Sequence, residues 1–566
     1  MQELSKSQKA RFAIRTFKIL ADSLTLQGAY KPSGRAGEKM AEALTQLSPE
    51  IYGSMTDSRI VELKGLEYVI DRMPRGIEKC SKIILTAQED FQDTSFEKIV
   101  PLKRRRFSYA VSDKEMCFVI TTGKSEIYDI LTHITFLNIE AQKIYRQVCN
   151  RSKRLREEWL DLERVAGIDE PLKGEELDKA IWNLSIILGR TYKETRETYE
   201  CLETNRLESQ SNNGLFRIVY SIGRRIIEEQ DEGENELTVY FTPSLLEMID
   251  LQKYATLWAE NLKNALCTLK LQDRPIHIIS ANMHSMRNLL YGPGALAQSE
   301  ENVPDDLYEM VREVRDREVA IDTYAASHGF TFLEDSSGSN IDVNIIDLTC
   351  ISASDIHPAM RLNVQFMQEN KPVLIVFDYA FGTQAFDIMD ELLEPFQQAD
   401  KPFFLDIQSI AIMGKAGVLP GKKGDIMIAT AHVMEGTANS YIVNNDLCPT
   451  DFDNGLDVYI GPMLTVLGTS LQNRDVLERF HSSSWKAIGL EMEGGHYQRA
   501  ISGAIIQGRI SPEMKTRYAY YASDNPLLSG QTLASGPMGE EGIMPTYMIS
   551  KIILEKIGNY EISAQD

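Results

Sequence analysis

From Pro275 onwards, short apolar segments alternate with amphipathic ones, and this alternation limits the fold more than any other feature of the chain. Most of the apolar segments are separated by segments such as 496–506, in which apolar residues recur at helical spacing. Strands that alternate with helices favour a largely parallel twisted sheet with helices on both faces. The sequence therefore predicts an α/β domain over 275–566, with strands at 277–280, 343–348, 373–377, 407–413, 425–429, 458–460, 487–490 and 518–522.

The part of the chain before this domain has a different pattern, and 566 residues are too many for one ordinary core. Residues 1–235 are predicted to form a mostly helical domain, because apolar residues recur at helical spacing, with one lone strand at 116–121. Residues 236–274 are predicted to form a linker and a connecting helix. Thr242 before Pro243 is a typical start for that helix, which we expect to run to about residue 271.

Composition excludes several classes of function. The formal charge of −22 argues against a general nucleic-acid binder, which needs an excess of Lys and Arg. Seven cysteines without a Cys-x-x-Cys pair favour a reducing compartment, and the scattered histidines predict no metal site. The start of the chain lacks an apolar signal core, and no run of about eighteen apolar residues occurs. We expect a cytoplasmic protein that does not bind membranes.

Two of the predicted strands run into carboxylates. The segment 487–490 is followed by Glu491 and Glu493, and the segment 518–522 is followed by Asp524. In open α/β sheets the ligand crevice lies beyond the carboxyl ends of the strands. These acids are therefore predicted to reach one site, with Gly494-Gly495 allowing a sharp turn into the next helix.

At these positions the chain resembles the nucleoside phosphorylase and nucleosidase family, which includes purine nucleoside phosphorylases, adenosylhomocysteine nucleosidases and AMP nucleosidases. The family carries a Met-Glu-Gly element, here 492–494, and later a Ser-Asp element, here 523–524. Residues 414–428 match its Gly-x-x-Gly-(Gly or Ala)-Leu and Gly-Asp elements in order, although Val418 stands where the family has a small residue. The resemblance covers 275–558, about half of the chain.

The resemblance implies cleavage of a purine N-glycosidic bond. Asp524 would be the general acid that protonates the departing base, and Glu493 would accept hydrogen bonds from the ribose hydroxyls. It also implies a homo-oligomer and no cofactor other than phosphate as a possible co-substrate. Further substrate-binding residues that it implies are Met492, Ser523, Gly417 and Thr465.

The sequence leaves two alternatives for the nucleophile, phosphate and water. Phosphorolysis needs an anion site, for which the candidates are Arg287, Arg361 and the strand-end pair Gly382 and Thr383. The hydrolytic adenosylhomocysteine enzymes keep a glutamate just after their first strand, and 281–284 has none. This difference favours a phosphorylase or an AMP nucleosidase-like enzyme whose arginine binds the 5′-phosphate of a nucleotide.

The alternative is a non-catalytic protein that senses nucleotides or nucleosides, or acts as a scaffold, with the same fold. The departures from the family pattern around Arg287 favour this alternative, whereas the presence of both Glu493 and Asp524 opposes it.

Overall fold

The computed structural model describes residues 4–87, 94–104, 106–149, 154–168, 170–398, 401–453, 455–528 and 538–559. The chain divides into two compact units. Unit 1 comprises Met1–Leu251 and Ser470–Val476, and unit 2 comprises Gln252–Thr469 and Leu477–Asp566.

Unit 1 combines a majority of helix with a mixed sheet. The sheet has the order β1-β6-β2-β5-β4-β3, in which β2 runs parallel to β5 and β6 and the other pairs are antiparallel. The strands are β1 Ala29–Tyr30, β2 Lys82–Thr86, β3 Glu97–Lys98, β4 Phe107–Ser112, β5 Glu115–Val119 and β6 Thr238–Phe241. The helices are α1 Lys6–Gln27, α2 Arg35–Leu47, α3 Leu63–Ile70, α4 Lys124–Val148, α5 Glu157–Ala166, α6 Gly174–Leu188, α7 Tyr192–Ser209, α8 Leu215–Ile227 and α9 Pro243–Leu251.

Unit 1 differs from the predicted helical domain in its sheet and in its limits. The strand expected to stand alone is β5, which lies inside the sheet. Residues expected in the connecting segment belong to unit 1, because β6 pairs with β2 through Val239 and Ile83. The single helix expected over 243–271 is two helices, since Gln252 adopts a positive φ of 49° between them. The division between the units therefore falls after Leu251.

Unit 2 contains the strands predicted from the alternating pattern, several of them longer than expected. They are β7 Ile276–Ser280, β8 Phe330–Leu333, β9 Val343–Asp347, β10 Val373–Phe377, β11 Phe396–Gln398, β12 Lys401–Phe403, β13 Ile407–Val418, β14 Ile426–Met434, β15 Ser440–Ile442, β16 Val458–Thr465, β17 Gly489–Glu491 and β18 Lys515–Asp524. The helices are α10 Lys253–Leu269, α11 Ser285–Gln298, α12 Leu307–Val314, α13 Glu318–Ala326, α14 Val364–Asn370, α15 Gln384–Leu393, α16 Arg474–Ser482, which begins within the segment assigned to unit 1, α17 Gly494–Ile506 and α18 Ile543–Gly558.

The prediction of a largely parallel sheet in unit 2 is wrong, because the sheet is mixed. Strands β7, β10, β13 and β18 run parallel to one another. Strands β14, β16 and β17 form a second parallel group that runs antiparallel to the first. The seven residues between β13 and β14 are too few for the helical crossover that two parallel strands need. The chain therefore reverses there.

The strands around β13 close into a ring. Strand β18 pairs with both β13 and β14, while β14 pairs with β16, β16 with β17, and β17 with β13. Helices cover both faces of the wider sheet, as predicted: on β10, Leu374 and Val376 face one hydrophobic cluster, and Val373, Ile375 and Phe377 face the other. This alternation is that of a strand buried on both sides.

Candidate functional site

Pairing of strands with β13 brings the two predicted acidic motifs to one place. Gly417, near the end of β13, pairs with Leu490 of β17 on one side and with Asp524 of β18 on the other. Neighbouring strands lie about 4.8 Å apart, so the positions flanking Gly417 are about 10 Å apart. Glu493 follows Leu490 by three residues. The two motifs therefore lie on either side of the Gly417 segment of β13.

A β-bulge sets the direction of the Asp524 side chain. Ala416 pairs with Ala522 and Gly417 pairs with Asp524, so Ser523 is an extra residue in β18. Because alternate residues of a strand point to opposite faces, the bulge places Asp524 on the face that Lys415 and its partner Tyr521 also use. Without the bulge, Asp524 would point to the other face.

The carboxyl group of Asp524 is in an environment that favours its protonated form. Its residue is 2% exposed, and its Oδ2 has no hydrogen-bond partner among the residues that the structure describes. The Ser523 hydroxyl donates to Oδ1 at 2.5 Å. Burial raises the pKa of Asp524 above its usual value, although the Ser523 hydrogen bond and the Lys415 ammonium act in the opposite direction. A buried carboxylic acid with one oxygen that has no hydrogen-bond partner is suited to donating a proton.

Glu493 is held at the start of α17 by a loop from another strand. Its half-buried side chain accepts a hydrogen bond at Oε1 from the Gly382 N–H, at 2.9 Å. Gly382 has φ 56° in the turn after β10, and Thr383 follows it at the start of α15. Two of the predicted site residues are thus in direct contact. The Gly382 N–H donates to Glu493 in this structure, whereas from the sequence it was expected to contact phosphate.

The remaining predicted residues of the two motifs are buried around these acids. Met492 is 8% exposed and Thr465 is 2% exposed, and Gly417 is buried in the ladder. The Thr465 hydroxyl donates to Glu491 Oε1 at 2.6 Å and accepts from the Gly495 N–H at 3.0 Å. Thr465 therefore binds neighbouring residues of the protein.

The two candidate arginines lie in other surroundings. Arg287, on α11, pairs with Asp322 at 2.6 Å and with Glu318 at 3.1 Å, both on α13. Arg361 is exposed, and its backbone N–H donates to Glu555 of α18 at 2.8 Å. The structure does not place either guanidinium in contact with Glu493 or Asp524, and phosphate binding by these arginines stays a prediction.

Two further residues of the site were not predicted. Lys415 is exposed within the glycine-containing segment of β13, and its charge acts on Asp524. His432, on β14, is fully buried, and its Nδ1 lies 3.2 Å from Glu491 Oε1. Lys415 lies inside the glycine-containing segment 414–428, which the sequence singled out without assigning a role to the lysine, whereas a lone histidine in an apolar strand gave no signal.

No group of three or more His, Cys, Asp and Glu side chains comes together as a metal site within the described ranges. The helices in those ranges include none with the length and apolar character needed to cross a bilayer.

Comparison with protein families assigns the chain as a whole. The model of a family described as a family of unknown function, DUF6909, matches residues 38–320 and 306–559. These two matches together cover most of the chain. The chain belongs to this family. The two matches together include residues of both units.

This DUF6909 protein has no significant match among curated proteins. Similar solved structures include a 5′-methylthioadenosine/S-adenosyl homocysteine nucleosidase from Campylobacter jejuni, with 12% identity over 50% of this chain and 99% of the nucleosidase, at a TM-score of 0.29. They also include futalosine hydrolase of Helicobacter pylori, with 10% identity, coverages of 50% and 98% and a TM-score of 0.28. Uridine phosphorylase from Schistosoma mansoni has 9% identity, coverages of 51% and 88% and a TM-score of 0.29. At such identities and TM-scores, these similarities do not assign an activity to the DUF6909 protein.

Proposed function

We propose that this protein cleaves the N-glycosidic bond of a purine nucleoside or nucleotide at the site formed by Asp524 and Glu493. The observation that carries the proposal is the Asp524 carboxyl, which is buried, has a raised pKa and has no hydrogen-bond partner at Oδ2 among the described residues. Such a group can act as a general acid, because a carboxyl that stays protonated nearer to neutral pH can give its proton to a departing base.

In the proposed reaction, the nucleophile forms a bond to C1′ of the ribose while the bond from C1′ to the purine nitrogen breaks. The electron pair of the broken bond goes to the purine, and Asp524 donates its proton to N7, so that the base leaves neutral. When water is the nucleophile, the proton that it loses passes to the solvent, from which the Asp524 carboxylate regains a proton. The sugar passes through a state with oxocarbenium character. Proton donation therefore matters most when the leaving group is a poor one.

Glu493 is assigned to the sugar. Its Oε1 accepts a hydrogen bond from the Gly382 N–H, and a carboxylate has several lone pairs that can accept hydrogen bonds from ribose hydroxyls. A negative charge next to the ribose also stabilises the positive charge that develops on the ring. The placement of the two motifs on either side of β13 supports this division of roles, because one acid can then face the base and the other acid the sugar.

The proposal includes either phosphate or water as the nucleophile. Arg287 is paired with two carboxylates, and Arg361 is exposed beside α18. Lys415 is the cation that shares a face with Asp524, and it is our candidate for contact with an anionic nucleophile or a substrate phosphate. We also propose, from the resemblance, that the protein is a cytoplasmic homo-oligomer.

Incubation of the full chain with purine nucleosides and their 5′-monophosphates, with and without phosphate, tests the proposal. Release of base would be followed by chromatography. Release that requires phosphate identifies a phosphorylase, and release without phosphate identifies a nucleosidase. If no substrate releases base in either condition while calorimetry detects nucleoside binding, the protein is the non-catalytic binder that the sequence analysis left as the alternative.

A further inference from the structure

Glu491 is a buried carboxylate near the proposed sugar-binding residue Glu493, and both its oxygens are hydrogen-bonded within the protein. Its residue is 4% exposed. Oε1 accepts from the Thr465 hydroxyl at 2.6 Å and lies 3.2 Å from His432 Nδ1. Oε2 accepts from the Glu493 N–H at 2.6 Å and from the Gly494 N–H. Both oxygens are therefore used, and the carboxylate is enclosed.

The groups that Glu491 binds belong to the turn that carries Glu493. The N–H groups of Glu493 and Gly494 lie at the start of α17, where backbone donors have no partner within the helix. The Thr465 hydroxyl takes the next donor, the Gly495 N–H, at 3.0 Å. Three consecutive N–H groups are thus fixed by two side chains, which are hydrogen-bonded to each other.

The turn is also enclosed by packing. His432 is fully buried, and a Cβ at Gly494 would overlap both its Cε1 and the Tyr520 hydroxyl. A Cβ at Gly495 would overlap Met434 and Thr465. The backbone directly after Glu493 is therefore closely packed.

Electrostatics agree with an ionised Glu491. Burial alone would raise its pKa, but the hydrogen bonds and charge of His432, the Thr465 hydroxyl and the Gly494 N–H together hold the pKa below its usual value. An ionised carboxylate accepts hydrogen bonds at both oxygens and donates none, which suits the three donors around Glu491, namely the Thr465 hydroxyl and the N–H groups of Glu493 and Gly494.

We infer that Glu491 is a positioning residue, assisted by Thr465 and His432, which fixes the backbone of Glu493 and thereby sets the preference of the site for ribose over 2′-deoxyribose. This inference rests on the proposed function, because it assigns Glu493 to the ribose hydroxyls. Glu491 itself does not touch the substrate. Displacement of a reacting geometry by about 1 Å can reduce rates about 100-fold, so loss of the clamp has a measurable effect.

The test uses Glu491→Gln, Glu493→Gln and the double variant in the full chain. In Glu491→Gln, an amide nitrogen faces either the two backbone donors or the Thr465 hydroxyl, and the set of four contacts is broken. We expect kcat/KM for ribonucleosides to fall about 100-fold and for 2′-deoxyribonucleosides to fall much less. The double variant should be no worse than Glu493→Gln, because both changes remove the same interaction.

A second readout does not depend on catalysis. Amide hydrogen exchange of the peptide that contains 493–495 should become faster in Glu491→Gln, whether or not the protein cleaves nucleosides. Asp355→Asn is the matched control, since Asp355 is also a buried carboxylate that accepts from a backbone N–H and hydroxyls, at Ser352 and Tyr324. It should leave both the exchange of 493–495 and the ribose preference unchanged.

Several results would overturn the inference. These are additive losses in the double variant, an unchanged ratio between ribo and 2′-deoxy substrates, or unchanged exchange at 493–495. If the wild-type protein cleaves no nucleoside, the proposed function fails, and the exchange experiment alone decides whether Glu491 fixes the turn. If Glu491→Gln does not fold, the pair Thr465→Val and Thr465→Ser replaces it, with the serine variant expected to restore what the valine variant loses.

Discussion

Replacement of Asp524 by asparagine tests the general acid directly. Asparagine has the same shape and keeps an Oδ1 that can accept from the Ser523 hydroxyl, as Asp524 does at 2.5 Å. It cannot transfer a proton to N7. Loss of a general acid costs about 100-fold to 10,000-fold in rate, which corresponds to about 3 to 5 kcal/mol of transition-state stabilisation. We expect kcat/KM for ordinary purine nucleosides to fall within that range.

The structure also predicts what the substitution does to stability. Asp524 is buried with a raised pKa, so its ionised form is disfavoured in the folded protein. A group with a raised folded pKa contributes stability at low pH that is lost as pH rises through that pKa. The asparagine variant should lack this loss and be at least as stable as the wild type above neutral pH. Thermal unfolding at several pH values measures the difference.

The decisive assay varies the leaving group. A purine nucleoside methylated at N7 already carries a positive charge on the base, which departs without a proton. The Asp524→Asn variant should therefore cleave N7-methylated substrates at close to the wild-type rate while it fails on unmodified ones. Equal loss on both substrates, or no loss on either, would refute the role of Asp524 as the proton donor.

Three further predictions concern the same site. Glu493→Gln should lower kcat/KM for ribonucleosides at least about 100-fold, measured by base release, because a neutral amide no longer stabilises the sugar cation. Gly494→Ala should destabilise the protein by about 1–3 kcal/mol in urea unfolding, since its Cβ overlaps His432, whereas Gly503→Ala in the same helix meets open space and should not destabilise. Because the pKa of Glu491 is lowered in the folded protein, its ionised form contributes stability above the pKa of an unfolded glutamate, and this stability is lost as the pH falls through the folded pKa. The free energy of unfolding of Glu491→Gln should therefore decrease less at acidic pH than that of the wild type, measured by unfolding at several pH values.

The positions of most strands in unit 2 follow from local sequence. Segments such as 373–377 are apolar throughout, and β10 has those limits in the structure. Strand β13 extends to Val418, five residues beyond the predicted end, because the Gly414–Val418 stretch finds partners in β17 and β18. Small residues give no strand signal of their own, and only the pairing shows that they continue the ladder.

The direction of the strands was less predictable than their positions. The alternation of strands and helices indicated parallel pairing, but the short connection from β13 to β14 reverses the chain. In unit 1, β6 lies more than 150 residues from its neighbour β2 in the sequence. Pairing over such a distance depends on the packing of the whole unit, which local patterns do not encode.

The sequence by itself located the residues of the proposed site: two strand ends with carboxylates, and a glycine-containing segment between them in the order of the family that the chain resembles. Only the tertiary structure decided how the surroundings of these residues differ. Glu491 and Glu493 look equivalent along the chain, but Glu491 is enclosed by the Thr465 hydroxyl, two backbone N–H groups and His432, whereas Glu493 is half-buried beside Gly382. The physical reason is that the accessibility and pKa of a carboxylate depend on its neighbours in space, and here these neighbours come from strands that are far apart in the sequence.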